Sequence, residues 1–367
     1  MCGIFGYIGH RKLGPIVLEG LKRLEYRGYD SAGVAYIGSS LHVMKDVGKI
    51  DEISERFNFL GIEGKLAVAH SRWATHGGVT QVNAHPHLSC DGTIAVVHNG
   101  IIENYVKLKE WLTRRRHIFR SETDTEVIPH LVEEFYRVTK DPLKAILNTV
   151  RKLKGSFAFL VIFEKCPDKI FAVRYKSPLV VGVGRDETFI ASDVPAFLKY
   201  TNRVIFLDDM EVAVIDRNTV EIFNALTFQR VKKRVNVVNW SIEDAEKGGY
   251  PHFMIKEIME QRYTISRVFG QDERIMDAIK LIKSAKNVFL IAAGTSYHAC
   301  LAASYWFSKI VRMNVRSVLA SEFPYFIDSV DDSTLVIAVS QSGETADVLE
   351  SVRAAKKRGA KVLTIIN

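Results

Sequence analysis

The sequence predicts two α/β domains of different build, and three observations lead there. Over residues 1–228, runs of short strands give way to three helical patterns and then to strands again, with short connections. That order suits two sheets with helices packed outside them rather than a doubly wound parallel sheet. Over 229–251 the composition shifts to charge, glycine and proline without a period, which reads as a linker. From 252 onward strands and helices alternate singly, the βαβ rhythm of a parallel sheet.

The first nine residues, Met-Cys-Gly-Ile-Phe-Gly-Tyr-Ile-Gly, read as a buried strand whose glycines admit close backbone approach. Val17, Leu21 and Leu24 then recur at helical spacing until Arg27-Gly28 stops the helix. Strands follow at 33–37, 41–44, 65–70 and 93–98, then helices at 103–116, 124–137 and 142–153, then strands at 157–163, 170–174, 179–183 and 212–215. In the second domain, helices at 252–269 and 272–284 precede strands at 288–292, 315–319, 335–339 and 362–366. Helices starting near 295 and 345 separate them. Four strands make a thin sheet, so this domain is expected to be cut short.

With 367 residues, 47% hydrophobic and 25% charged, the chain has the composition of a soluble globular protein with room for two cores. No apolar run reaches the roughly 18 residues of a membrane helix, and the N-terminus lacks a signal-peptide layout, so a cytoplasmic location and no membrane partner are expected. Cys2, Cys90, Cys166 and Cys300 lie far apart without a CxxC pair. Neither a disulfide framework nor a metal site is expected, and the last three read as reduced fillers. The net charge of +8 is spread along the chain without a reading motif or an aromatic stacking array, so anionic small substrates suit it better than nucleic acid.

Chemistry concentrates in a few stretches. Cys2 directly follows the initiator Met and has a small neighbour, so removal of Met1 would place a thiol and a free α-amine on one residue, a nucleophile with its own base. Residues 71–77, Ser-Arg-Trp-Ala-Thr-His-Gly, combine the planar fork of Arg72 with Trp73, Thr75 and His76, a set that suits an amino acid and equally a surface loop. His85 and His87 lack further ligands at metal spacing, so loop hydrogen bonds account for them better. Asn99-Gly100 at a strand end can aim two donors at a developing oxyanion, or can form a plain turn. Asp124 can cap a helix or hold an ammonium. Gly294-Thr295-Ser296 and Ser340-Gln341-Ser342-Gly343-Glu344-Thr345 both link a strand's carboxyl end to a helix start, where hydroxyls and backbone N–H groups suit a sugar phosphate.

Taken together, these residues resemble the glutamine–fructose-6-phosphate aminotransferase family. The resemblance is carried by Cys2 to Gly6, by 24–33 (Leu-Glu-Tyr-Arg-Gly-Tyr-Asp-Ser-Ala-Gly), by Arg72 to Gly77, 83–87, 98–100 and 245–250, and by Ser340 to Thr345. It implies an N-terminal-nucleophile amidotransferase domain over 1–228, a four-layer αββα sandwich of antiparallel sheets, then the linker and a partial sugar isomerase (SIS) domain over 252–367. It further implies that Cys2 attacks glutamine while Asn99 and Gly100 hold the oxyanion. Arg72, Thr75 and His76 would hold the glutamine carboxylate end and Asp124 its amine, with Trp73 on a gating loop and His85 and Arg27 in support. Thr295, Ser296, Ser340, Gln341, Ser342 and Thr345 would cradle the phosphate of fructose 6-phosphate, without a cofactor, in a homodimer. Family members continue into a second SIS domain and a catalytic tail, so the chain is expected to hydrolyse glutamine but not to complete the sugar reaction. A different amidotransferase of the same type and a non-enzymatic sugar-phosphate sensor are the alternatives.

Overall fold

A computed structural model describes residues 2–74, 76–239, 249–250, 253–269, 272–343 and 345–366. The chain divides into two compact units, Met1–Glu246 and Lys247–Asn367.

The first unit holds an eight-stranded and a seven-stranded sheet, every described pairing antiparallel. Gly3–Ile8 lies inside the larger sheet, between Leu66–Arg72 and Thr188–Ala191. All six of its residues are buried, because each of its faces meets a different core. Phe5 and Tyr7 point into an outer layer with Val17 and Leu21 of the helix Leu13–Leu24. Ile4 and Ile8 point between the sheets, where they join Val97 and Leu160 of the smaller sheet. Side chains alternate across a strand, so one apolar run serves two layers. The helices Tyr105–Thr113, Val127–Thr139 and Pro142–Lys152 cover the other face of the smaller sheet around Phe157, Phe159 and Val161. Asp141 starts the last of these, its carboxylate accepting from Lys144 N at 3.2 Å ahead of a first-turn proline. The result is the expected four-layer αββα sandwich.

Several elements escape sequence patterning. Thr188–Ala191, Arg203–Phe206 and Val220–Asn224 are short strands, and Ile50–Arg56 is a helix of seven residues. Within the stretch read as linker, Arg230–Val231 pairs with Val220–Asn224 and Asn236–Val237 pairs with Arg203–Phe206. These two are the terminal strands of their sheets. Two-residue edge strands carry no hydrophobic alternation, and the neighbouring Lys232 and Arg234 are solvent-facing charges, a usual protection of sheet edges, while Lys233 pairs with Glu211 at 3.0 Å.

The second unit is a four-stranded parallel sheet in the order Arg316–Leu319, Asn287–Ala292, Thr334–Ser340, Lys361–Ile366. The helices Thr295–Trp306 and Ala346–Lys357 follow the two central strands. Among the described residues, no helix is long and apolar enough to cross a membrane.

Candidate functional site

The candidate site of the first unit stands where the two sheets face each other at the start of Gly3–Ile8. In the larger sheet Gly3 pairs with Ser71 and Ile4 with His70. In the smaller sheet Ile94–Ile102 brings up Asn99 and Gly100. The sheets are bonded here: Asn99 Nδ2 donates to the Cys2 carbonyl oxygen at 2.9 Å, and Arg27 Nε donates to the same oxygen at 3.3 Å. Arg27 is itself held by Asp193 at 3.2 Å. The carbonyl of the first strand residue is therefore fixed from two sides, and the thiol it carries has a defined position.

Cys2 is half-buried, and its thiol receives the Trp73 backbone N–H at 3.2 Å. Burial pushes its pKa up, against the opposing pull of that N–H. Trp73 is 46% exposed and meets Tyr29 edge-on at 5.3 Å. Arg72 is buried, and its guanidinium donates to the carbonyls of His76, Gly77 and Gly78 at 2.6, 3.3 and 3.1 Å. It thus braces the loop that follows it, using donors that the resemblance assigns to a substrate carboxylate. His76 packs edge-on to Tyr105 at 5.8 Å, while Thr75 lies outside the described residues. Asp124 is buried at the turn leading into Val127–Thr139 and accepts from Ile102 N at 2.6 Å, which draws it beside the Asn99-Gly100 strand end.

Gly100 has φ +120°, and a Cβ there would lie 1.9 Å from the Ser156 carbonyl oxygen on the paired strand. Gly100→Ala is expected to destabilise the protein by roughly 3 kcal/mol through strain and overlap. Gly92→Ala, at φ +73° but with open space around it, is expected to cost only about 1 kcal/mol. Urea midpoints compare the two, and equal losses would rule out the steric account.

Sequence reading passed over His70, which looks like core in the middle of Leu66–Arg72. Its Nε2 donates at 3.0 Å both to Asn99 Oδ1 and to the His98 carbonyl, which turns the Asn99 amide so that Nδ2 faces Cys2. His85 stacks on His70 at 4.1 Å, accepts from His98 N at 3.2 Å and reaches Thr125 Oγ1 at 3.4 Å. His98 Nδ1 meets the same hydroxyl at 2.8 Å. Burial lowers His70 to about 3 and His98 to about 4, and puts His85 well below its ordinary value. Unfolded histidines take up a proton near pH 6.5, so below that pH the unfolded chain binds more protons than the folded one. Stability should accordingly fall as pH drops from 6.5 toward 4, each histidine adding a slope of up to about 1.4 kcal/mol per pH unit. Urea melts across that range test this; a midpoint that rises on acidification would contradict it.

In the second unit, Thr295 and Ser296 open the helix Thr295–Trp306 directly after Gly294, which has φ +57°. Ser340 ends the neighbouring parallel strand, so both hydroxyl loops lie at carboxyl ends of adjacent strands. Ser340 Oγ meets Thr345 Oγ1 at 3.0 Å and accepts Gly343 N at 3.2 Å, which curls the second loop around its own serine. Gln341 and Ser342 lie within that curl, at the turn between strand and helix.

Comparison with known proteins bears on both units. A glutamine amidotransferase domain model matches residues 70–199, and an SIS domain model matches 281–367. Glutamine–fructose-6-phosphate aminotransferase (isomerizing) from Thermococcus kodakarensis is 49% identical over 370 residues, covering all of this chain and 62% of that protein. Its counterparts from Aquifex aeolicus and Methanococcus maripaludis are 47% and 45% identical with the same coverage. Over its whole length this chain is similar to the glutamine–fructose-6-phosphate aminotransferases. It spans 62% of the length of these aminotransferases. Among solved structures, glutamine phosphoribosylpyrophosphate amidotransferase from B. subtilis superposes with a TM-score of 0.56 at 20% identity, covering all of this chain and 81% of that one, a likeness of fold alone. Against the family resemblance, the first unit supplies the amidotransferase sandwich and the second a parallel SIS sheet.

Proposed function

We propose that this chain supplies the glutamine-hydrolysing half and part of the sugar-phosphate site of a glutamine–fructose-6-phosphate aminotransferase, which forms glucosamine 6-phosphate, the first committed step of amino-sugar synthesis. The observation that carries the reading is the fixing of Cys2 between the sheets, its carbonyl held by Arg27 and Asn99 and its thiol under the Trp73 N–H. Once Met1 is removed, the α-amine of Cys2 takes the thiol proton and the sulfur attacks the side-chain amide carbon of glutamine. Asn99 Nδ2 and the Gly100 N–H stabilise the oxyanion, the C–N bond breaks, ammonia leaves with the proton, and a thioester remains. Water then attacks the thioester through a second oxyanion and releases glutamate. Asp124 holds the substrate amine, and Arg72, Thr75 and His76 its carboxylate, with Trp73 over the site and His85 in support.

In the second unit, Thr295, Ser296, Ser340, Gln341, Ser342 and Thr345 hold the phosphate of fructose 6-phosphate through neutral donors and two helix starts. The reading includes a homodimer in the cytoplasm. Tyr305, Trp306 and Ile310 are 64%, 66% and 76% exposed and give the second unit apolar surface to bury.

The direct test joins intact mass to glutamate release from glutamine. A chain that has lost Met1 and releases glutamate supports the reading. A chain that has lost Met1 and is silent removes the glutaminase assignment and leaves a sugar-phosphate-binding protein.

A further inference from the structure

On the first unit's smaller sheet, the connection between His87–Leu88 and Ile94–Ile102 carries Cys90. It packs against His117, which follows the helix Tyr105–Thr113, and against His130 and Glu133, which stand three residues apart on one face of Val127–Thr139. Ligand atoms from all four residues lie within 4.8 Å of one another. Cys90 Sγ is 3.5 Å from both His117 Nδ1 and His130 Nδ1, and Glu133 Oε2 is 3.3 and 3.8 Å from the same two nitrogens. A tetrahedral ion with bonds of 2.0–2.3 Å needs ligand separations of about 3.3–3.8 Å. These four separations match it, and a shift of about an ångström would close the widest pair.

The outer contacts have the same sense. His117 Nε2 faces Glu134 Oε2 at 3.3 Å, and His130 Nε2 faces Glu126 Oε1 at 3.6 Å. Each imidazole thus turns Nε2 toward a carboxylate and Nδ1 inward, as histidines do when a carboxylate orients them on a metal. Glu133 is further held by Arg137 and by the Cys90 N–H at 2.9 Å. His117, His130 and Glu133 are almost fully buried, whereas Cys90 is partly exposed at a cleft of about 340 Å³ that gives an ion a way in. A thiolate and a carboxylate together carry the charge that one divalent cation cancels.

We propose that Cys90, His117, His130 and Glu133 form a structural zinc site. The sulfur, two nitrogens and one oxygen suit zinc among the divalent ions, and four protein ligands leave no open position for a reacting water. Binding releases the thiol proton to solvent and forms the sulfur–zinc bond. The ion would clamp the Cys90 loop to the helix whose lead-in turn carries Asp124 and Glu126, and so stiffen one wall of the candidate glutamine site. Sequence reading expected no metal because Cys90 and His117 lie far along the chain from each other and from the His130 and Glu133 pair, and the four converge only in the fold.

The test uses the full chain, expressed with zinc in the medium and purified without chelator. Metal analysis should find one zinc per chain, falling toward zero in Cys90→Ser and in Glu133→Gln. Stripping the parent and refilling it with cobalt(II) should produce a thiolate-to-cobalt charge-transfer band that Cys90→Ser lacks. This spectrum is read on the intact parent, so poor folding of a variant does not mask the answer. A stripped parent that takes up neither ion, cobalt uptake without the thiolate band, or full zinc content in a folded Cys90→Ser would each overturn the site.

Discussion

Replacing Cys2 by alanine is expected to lower the rate of glutamate release by roughly ten-thousand-fold or more, with the fold retained. Removing an enzyme's nucleophile costs rates on this scale because the remaining binding groups cannot open a second route. Cys2 contributes little to packing: it is a small, half-buried residue whose thiol hydrogen-bonds the Trp73 backbone. The unfolding free energy should therefore change by less than about 1 kcal/mol. Cys2→Ser should also lose most of its activity, since a hydroxyl is a weaker nucleophile than a thiol and ionises far less readily at the same position. Steady-state glutamate release with a parallel urea melt separates loss of chemistry from loss of fold. Substantial hydrolysis by a folded alanine variant would dismiss the nucleophile assignment.

The second large effect is expected at Asn99. On the proposed function Asn99→Ala removes one oxyanion donor, for which a fall in kcat of about a hundred- to a thousand-fold is the usual consequence. KM should move far less, because the donor acts mainly on charge that develops during attack. Asn99→Asp should be worse, since it sets an acceptor where the Nδ2 donor faces Cys2. The same amide also helps to fix the Cys2 carbonyl, so part of the loss will come from a less well-placed thiol. Thiol alkylation rates measured beside kcat divide these contributions: a hundredfold fall in kcat with unchanged alkylation marks oxyanion loss. An unchanged kcat would show that Asn99 serves as an anchor alone.

Legibility in the sequence followed the reach of each interaction. Gly3–Ile8, Gly155–Phe163 and Asn287–Ala292 are apolar runs bounded by turns, so the strands were readable, as was the change from antiparallel sandwich to βαβ alternation. Thr188–Ala191 and the edge strands Arg230–Val231 and Asn236–Val237 were not, because what makes them strands is a partner far away in the chain. Within the site, Cys2, Asn99-Gly100 and the Arg72 loop are compact motifs whose chemistry shows in neighbouring residues. His70 and Asp193 act across sheets and between distant segments, on Asn99 and on Arg27, and have no local signature. Cys90 and His117 are the extreme case: each looks ordinary until the fold brings them together with His130 and Glu133.

The placing of Gly3–Ile8 also sets a timetable. Phe5 pairs with Ala69 on one side and with Ala191 on the other, so the strand that follows Cys2 cannot gain both neighbours until residue 191 has been synthesised. At translation rates of about 5–20 residues per second, that delay is on the order of ten seconds or more. Throughout it the nascent chain carries the cysteine without the sheet that positions it. Ribosomal truncation products ending before residue 188 should therefore carry Cys2 and, on the proposed function, consume no glutamine.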